Sequence, residues 1–317
     1  MAPRLSSRAR GIQMSVSQGQ GGDADVARAA NPNDRISQAL NNLNVRPIVI
    51  SSHPRSGTHA SIDFFRRQFA VCRSWKYPGE GSHKLYLFLE SLVEPVRGAL
   101  SEEQALSILR RTPRPLIKSH IWLLDPEHSR LQSLERTRAH WIRWIRANAK
   151  SCYVYRDGRD VMSSYQIYRQ AFDPAAHVPP GEFLRQQDRG ISRVKAWADH
   201  VRLGINSPEV ELIRYESLIE DPEAMLNKLE RSLELTARRQ VPLLPKTTRN
   251  RWQRGLARAF RMHPQSSAVI GREKGQTLLP WREYWTREDR MFFESEAGDL
   301  LIELGYETSD AWTRAAP

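Results

Sequence analysis

Cysteine is scarce in this sequence, since only Cys72 and Cys152 occur among 317 residues. Two cysteines cannot form a disulfide framework, which favours a reducing compartment, and we expect a cytoplasmic protein. The sequence also lacks a run of about 18 apolar residues, the length that a membrane-spanning helix needs, so no membrane span is predicted. No apolar segment follows the arginines near the start, and we therefore expect no secretory signal.

Acidic residues are missing from one long interval. The sequence has no Asp or Glu between Glu234 and Glu273, whereas arginines and lysines recur throughout it. The whole chain has 48 basic and 36 acidic side chains, a formal net charge of +12. Such a surface attracts anions, and nucleic acid, phosphate esters, acidic sugars and anionic lipids all remain possible partners.

The composition predicts one folded domain between two tails. Residues 1–44 are rich in Ser, Gln, Gly and Ala, which predicts a disordered extension, with a basic start that is also typical of targeting peptides. Residues 45–308 contain the apolar runs and form the predicted domain, and residues 309–317 form a short C-terminal tail. With 40% hydrophobic residues, the chain has enough apolar material for a core.

Four short apolar runs are typical of β-strands. They lie at residues 47–51, 115–119, 152–155 and 210–215, and they are rich in β-branched or aromatic residues. Longer helical patterns separate or follow them, at residues 58–69, 131–150, 182–203, 222–235 and 287–304. Strands that alternate with helices predict an α/β fold, a parallel sheet with helices on both faces.

The first predicted strand runs into a tight turn and a helix. This segment, Ser51-Ser-His-Pro-Arg-Ser-Gly-Thr-His59, directs backbone N–H groups and a helix N-terminus at one point, which predicts an anion site. Arg55 can donate a fork of hydrogen bonds to phosphate oxygens. A Walker A loop has Gly and Lys where Ser52 and Thr58 stand, so an ordinary ATP or GTP hydrolase is disfavoured.

Two further strand ends carry cations. Arg156 follows the third strand, and Ser164 lies eight residues later in the next predicted helix. Lys118 and His120 end the second strand. Ligands of parallel sheets bind at the carboxyl ends of the strands, and histidine can act as a general base near neutral pH. These residues therefore predict one anion-binding, base-containing site.

Together these pieces resemble the sulfotransferases that use 3′-phosphoadenosine 5′-phosphosulfate (PAPS). Pro54-Arg-Ser-Gly-Thr58 is similar to their 5′-phosphosulfate loop, Arg156 with Ser164 to their 3′-phosphate motif, and Lys118-Ser-His120 to their catalytic strand end. The resemblance covers roughly residues 47–306. It implies the P-loop-like sulfotransferase fold, sulfuryl transfer to a hydroxyl or amine, and PAPS as the co-substrate.

The resemblance also implies roles for single residues. His120 is expected to be the base, with Lys118 and Arg55 as the other catalytic residues. The expected donor-binding residues are Arg55, Ser56, Gly57, Thr58, His59, Arg156, Ser164, Tyr215, Arg272, Lys274 and Gly275. Whether Arg272 or Lys274 meets the 3′-phosphate stays open, because the spacing to Trp281 is about one residue longer than usual.

The sequence departs from the family pattern next to the loop. His59 and Ala60 stand where the family usually has Thr and Trp, so adenine stacking must come from elsewhere. No cluster of His, Cys, Asp or Glu has metal-ligand spacing, and no metal is expected. The acid-free interval suggests an anionic acceptor, either a small molecule or a glycan, and a solvated basic loop is the plainer interpretation. The oligomeric state is not predicted.

Two other functions share some of these features. A P-loop kinase would use the same strand, turn and helix, although it would need the missing Walker lysine. A nucleic-acid-binding protein would use residues 131–150 and 235–272 as basic surfaces, although no known motif of that class occurs. We expect no nucleic acid as partner.

Overall fold

A parallel five-stranded sheet forms the centre of the protein. The computed structural model describes residues 32–77, 80, 82–92, 100–121, 129–188, 190–244 and 280–314. Its strands are β1 (Ile48–Ser51), β2 (Leu87–Phe88), β3 (Leu116–Ser119), β4 (Lys150–Tyr155), β5 (Gln187–Asp188), β6 (Ile191–Ser192) and β7 (Val210–Arg214). The sheet order is β2-β3-β1-β4-β7 with all neighbours parallel, and β5 and β6 form a separate hairpin.

Helices connect the strands in the described part of the chain. They are α1 (Pro32–Asn41), α2 (Thr58–Gln68), α3 (Glu102–Leu109), α4 (Ser129–Thr137), α5 (Ala139–Asn148), α6 (Gly158–Gln170), α7 (Pro180–Arg185), α8 (Arg193–Ile205), α9 (Tyr215–Glu220), α10 (Pro222–Leu233), α11 (Trp281–Tyr284) and α12 (Arg287–Glu303). None of the helices described here is long and apolar enough to span a membrane.

Alternate strand residues face opposite apolar layers, as the period of two requires. Ile48 and Ile50 of β1 pack in a cluster with α2 and α10, whereas Val49 packs with α1, α3 and α5. Tyr155 of β4 packs against a third cluster, which α6, α8 and α12 form. Helices therefore cover both faces of the sheet, and the predicted α/β fold is confirmed.

The domain is longer at both ends than the sequence predicts. Residues 32–41 of the predicted tail form α1, whose Ile36 and Leu40 are buried in the core because a spacing of four places them on one helix face. At the other end, Trp312 is buried and its ring centre lies 5.4 Å from that of Trp281. Both predicted boundaries, at residues 44 and 308, are therefore corrected. Residues 1–31 lie outside the described part.

Two predicted helices are each divided. The helix predicted at residues 182–203 is interrupted by the β5–β6 hairpin, where Gly190 has φ of 83° and Ser192 caps α8 by accepting from the Lys195 amide. The helix predicted at residues 131–150 breaks at Arg138, whose backbone is not helical, and ends before Lys150 because that residue pairs with Ile48 in the sheet. The sequence analysis missed β2, because a strand of two residues is too short to show an alternation of apolar and polar residues.

Candidate active site

The loop between β1 and α2 is shaped for a small anion. Arg55 and Gly57 have φ of 74° and 102°, so the loop turns through the left-handed region just before α2 begins. A Cβ atom on Gly57 would lie 2.2 Å from Tyr215 Cδ2, so a side chain here would clash with the ring. The hydroxyls of Ser52 and Thr58 lie 2.5 Å apart and close the loop at its base. The backbone amides of the loop and the positive N-terminal end of α2 are therefore directed at the same small volume.

Ser56 supports this interpretation. Its side chain is fully buried, and its hydroxyl has no hydrogen-bond partner among the described residues. A buried polar atom without a partner is unfavourable by about 1–3 kcal/mol, so it indicates a site for a polar ligand. The residues of the loop fit a phosphate or sulfate group.

Arg55 connects the loop to α6. Its Nε atom donates to Ser164 Oγ at 3.2 Å, and its guanidinium carbon lies 5.0 Å from the ring centre of Tyr168. The contact between Arg55 and Ser164 joins two residues 109 positions apart in the sequence. The structure thus brings together the first and the third motif of the sequence.

Arg156 lies at the end of β4, in contact with Tyr215 from the end of β7. The guanidinium carbon of Arg156 lies 4.7 Å from the centre of the tyrosine ring, and its Nη2 atom donates to Asp160 Oδ2 at 3.1 Å. Both side chains are buried. Because Tyr215 also contacts Gly57, Arg156 and the loop border the same space.

Lys118 reaches the loop from β3. Its Nζ atom lies 3.3 Å from His59 Nε2 and 4.6 Å from the ring centre of Phe88. Burial lowers the pKa of Lys118 to about 8, the nearby Glu90 carboxyl raises this pKa, and the charge of Arg55 lowers it. Lys118 is therefore a cation that can lose its proton not far above neutral pH.

His120 is held in one tautomer. Its Nδ1 atom lies 2.9 Å from the carbonyl oxygen of Ser52, and because a carbonyl only accepts, Nδ1 carries the hydrogen. The residue as a whole is half-buried, and the protein atoms packed around it desolvate the ring. This burial and the adjacent Lys118 charge hold the pKa of His120 well below 6.5. Nε2 is therefore an unprotonated acceptor near neutral pH.

The sequence analysis missed two residues beside His120. Glu90 is buried and accepts hydrogen bonds from the residues that end β3, and it is the only charged residue between Leu85 and Leu92, which is a usable signal. His200 of α8 is also buried, and its Nε2 atom lies 3.1 Å from the carbonyl oxygen of His120. Nothing in the sequence around His200 distinguishes it from a core histidine.

Arg272, Lys274 and Gly275 lie outside the described residues. Every other predicted site residue lies at the carboxyl ends of β1, β3, β4 and β7 or in the helices that follow. In the described part of the chain, no three His, Cys, Asp or Glu side chains are grouped in a way that could hold a metal ion.

An anion site at the carboxyl edge of a parallel sheet, with cations on three strand ends and a neutral histidine, defines a group-transfer site of an α/β enzyme. Residues 46–249 match the sulfotransferase domain family, which is more than half of the 317 residues. The chain belongs to this family and is a sulfotransferase, as the resemblance implied. No curated protein matches the sequence.

Solved structures with similar folds are distant in sequence. The mouse sulfotransferase SULT7A1, complexed with PAP, is 18% identical with a TM-score of 0.44, over 84% of this chain and 88% of that one. Retinol dehydratase, in complex with androsterone and the inactive cofactor PAP, is 16% identical with a TM-score of 0.44, over 85% of each chain. A sulfotransferase domain from the curacin biosynthetic pathway is 20% identical with a TM-score of 0.37, over 66% of this chain and 79% of that one.

Proposed function

We propose that this protein transfers a sulfuryl group from PAPS to an acceptor hydroxyl or amine, with His120 as the general base. The observation that carries the proposal is the hydrogen bond from His120 Nδ1 to the Ser52 carbonyl, which leaves Nε2 unprotonated. The lowered pKa of His120 keeps that nitrogen neutral at the pH of the cell. A base in this state can take the proton of an acceptor as the new bond forms.

The 5′-phosphosulfate is assigned to the loop. The amides of Gly57 and Thr58 and the hydroxyl of Ser56 would bind its oxygens, and Arg55 and Lys118 would neutralise the charge that develops as the donor loses its sulfuryl group. The donor supplies the transferred group and a good leaving group. Positioning and charge stabilisation by these residues supply the catalysis, by analogy with phosphoryl transfer.

The nucleoside end of the donor is assigned to β4 and β7. Arg156 and Ser164 would bind the 3′-phosphate, and either Arg272 or Lys274, with Gly275, would complete that site. Tyr215 is proposed beside the adenine, because its ring lies against both Arg156 and Gly57. His59 is proposed at the donor through its contact with Lys118.

The acceptor is proposed to be an anionic small molecule or a glycan. The proposal rests on the net charge of +12 and on the absence of Asp and Glu between Glu234 and Glu273. We also propose a cytoplasmic location, because both cysteines, Cys72 and Cys152, are buried as free thiols.

A transfer assay tests this function. PAPS labelled with sulfur-35 is incubated with a panel of phenols, aliphatic alcohols, amino sugars and acidic sugars, over a series of salt concentrations. We expect labelled product with at least one acidic acceptor, reduced by salt because the attraction is electrostatic. The His120→Ala variant should lose the product, and the variant of the exposed His177, His177→Ala, should keep it. A preference for neutral phenols that salt does not change would contradict the anionic acceptor.

A further inference from the structure

Glu90 is a buried carboxyl group next to the proposed base. It lies in a short 3-10 helix, Leu89–Leu92, and only 3% of its surface is exposed. Its Oε1 atom accepts from the Ile121 amide at 2.9 Å, from the Ser119 hydroxyl at 3.2 Å and from the His120 amide. One oxygen therefore holds three consecutive residues at the carboxyl end of β3.

His200 holds the other side of the same backbone. Its Nε2 atom donates to the His120 carbonyl oxygen at 3.1 Å, and its Nδ1 atom lies 2.7 Å from the hydroxyl of Tyr153. The amide and the carbonyl of His120 thus both bond to side chains, one from before α3 and one from α8. This part of the chain is past the last residue of β3, where the sheet no longer fixes the backbone.

A carboxyl group at this position needs a reason. Burial raises the pKa of Glu90, while the amides of His120 and Ile121 and the charge of Lys118 lower it. A neutral side chain could accept the same hydrogen bonds without the desolvation of a charge. Three donors converge on the single atom Oε1, so the role that the geometry supports is that of a hydrogen-bond acceptor for the end of β3.

We propose that Glu90 is the positioning residue of the base: it fixes the backbone at His120 so that Nδ1 stays on the Ser52 carbonyl and Nε2 stays available to the acceptor. The role rests on the proposed function of His120. The bond from Nδ1 to Ser52 is 2.9 Å long, and a backbone shift of about 1 Å would break it. The ring could then adopt the other tautomer, in which Nε2 carries the hydrogen and cannot act as a base.

Two variants separate geometry from charge. Glu90→Gln keeps an oxygen acceptor at the same distance, whereas Glu90→Asp keeps the carboxyl group but withdraws the acceptor by one methylene. Histidine labelled with nitrogen-15 reports the tautomer of His120, with the signal assigned by its loss in His120→Gln. We expect the wild-type Nδ1–H signal in Glu90→Gln, and a shift toward the Nε2–H tautomer in Glu90→Asp.

Kinetics give a second readout. With an acceptor from the transfer assay, kcat should fall about tenfold to hundredfold in Glu90→Asp, with little change in the KM for PAPS.

A matched control excludes a general loss of stability. Glu102 of α3 also holds a histidine, since it accepts from His140 Nε2 at 2.6 Å, and Glu102→Ala should lower the melting temperature without moving the His120 signal. An unchanged His120 tautomer in Glu90→Asp, or a larger change in Glu90→Gln than in Glu90→Asp, would overturn the proposal. Titration with 3′-phosphoadenosine 5′-phosphate (PAP) is read separately: failure to bind it would contradict the proposed function, while the tautomer result would still decide the role of Glu90.

Discussion

The two halves of the candidate site, at the ends of β1 and β3 and at the ends of β4 and β7, differ in whether their cations are paired with carboxylates. At the ends of β1 and β3, Lys118 has no ion pair with a carboxylate among the described residues, and burial lowers its pKa to about 8. At the ends of β4 and β7, the arginines are paired: Arg156 with Asp160, and Arg159 with both Asp157 and Glu307. One half has groups that can change protonation, and the other has fixed, compensated charges.

This difference matches the two tasks of a transferase. A base and a leaving-group cation need protonation states that respond near neutral pH, which desolvation provides. A nucleotide that must be held through the reaction needs permanent positive charge in a fixed geometry, which paired and stacked arginines provide. Variants at the ends of β1 and β3 therefore test the proposed chemistry, and variants at the ends of β4 and β7 test the proposed nucleotide binding.

The largest effect is expected at His120. His120→Ala removes the only atom proposed to take the acceptor proton, so transfer should fall by at least about a hundredfold. The affinity for PAP, measured by calorimetry, should stay within about twofold, because the base acts on the acceptor rather than on the nucleotide. Near-full turnover in this variant would mean that another group is the base, with His59 and then His53 as the next candidates.

A large effect on stability is expected at Arg159. Its guanidinium carbon lies 4.2 Å from the ring centre of Trp281, and its Nη2 atom lies 2.7 Å from Asp157 Oδ2. Arg159→Met leaves two carboxylates without their partner, and the free energy of unfolding should fall by about 3–5 kcal/mol. Lys118→Met is the matched comparison from the other half, and it should leave the stability unchanged or raise it because a desolvated charge is removed.

Denaturant unfolding measures both variants. Equal destabilisation of Arg159→Met and Lys118→Met would show that the two halves do not differ in charge compensation.

A smaller effect is expected on nucleotide binding. Arg156→Ala removes a charge-assisted contact to the proposed 3′-phosphate, and PAP should bind about tenfold to hundredfold more weakly. Ser164→Ala should weaken binding less, since a hydroxyl contributes about 0.5–1.5 kcal/mol. Calorimetry with adenosine 5′-phosphate is the control, because a nucleotide without the 3′-phosphate should bind wild type and Arg156→Ala alike. An unchanged Kd for PAP in either variant would show that the substituted residue does not bind the 3′-phosphate.

The smallest change is a shift in pH dependence. In the proposed mechanism, activity needs neutral His120, whose pKa is lowered, and charged Lys118, whose pKa is about 8. The value of kcat/KM should therefore hold from below pH 6.5 to about pH 8 and fall above it as Lys118 loses its proton. Lys118→Arg should move the alkaline limb upward, because a guanidinium stays charged. A wild-type limb near pH 10, the ordinary range for lysine, would contradict the lowered pKa.

The sequence predicted the parts of the site that are local in the chain. The loop from Pro54 to Thr58, the strand end at Lys118 and the pair Arg156 and Ser164 each lie within a short motif, so their residue types and spacing are visible without a fold. Their meeting follows from the rule that parallel strands present their carboxyl ends at one edge.

The parts that depend on distant contacts were not predictable in this way. His200 reaches His120 across 80 positions, and its role depends on where α8 packs. The packing of α1 on the core and the hairpin between α7 and α8 are likewise decided by tertiary contacts, which override a helical pattern or a polar composition. Glu90 is intermediate between the local motifs and the residues that depend on distant contacts. Its ionisable side chain stands out in an apolar run of the sequence, but the sequence does not show which groups it contacts.

The most direct test of the account is a calorimetric titration of the protein with PAP, with ATP and magnesium as the comparison. We predict micromolar or tighter binding of PAP and little binding of ATP, because the proposed site offers Arg156 to a 3′-phosphate and the sequence lacks the Walker lysine. Magnesium-dependent binding of ATP without binding of PAP would contradict the account and place the protein with the kinases.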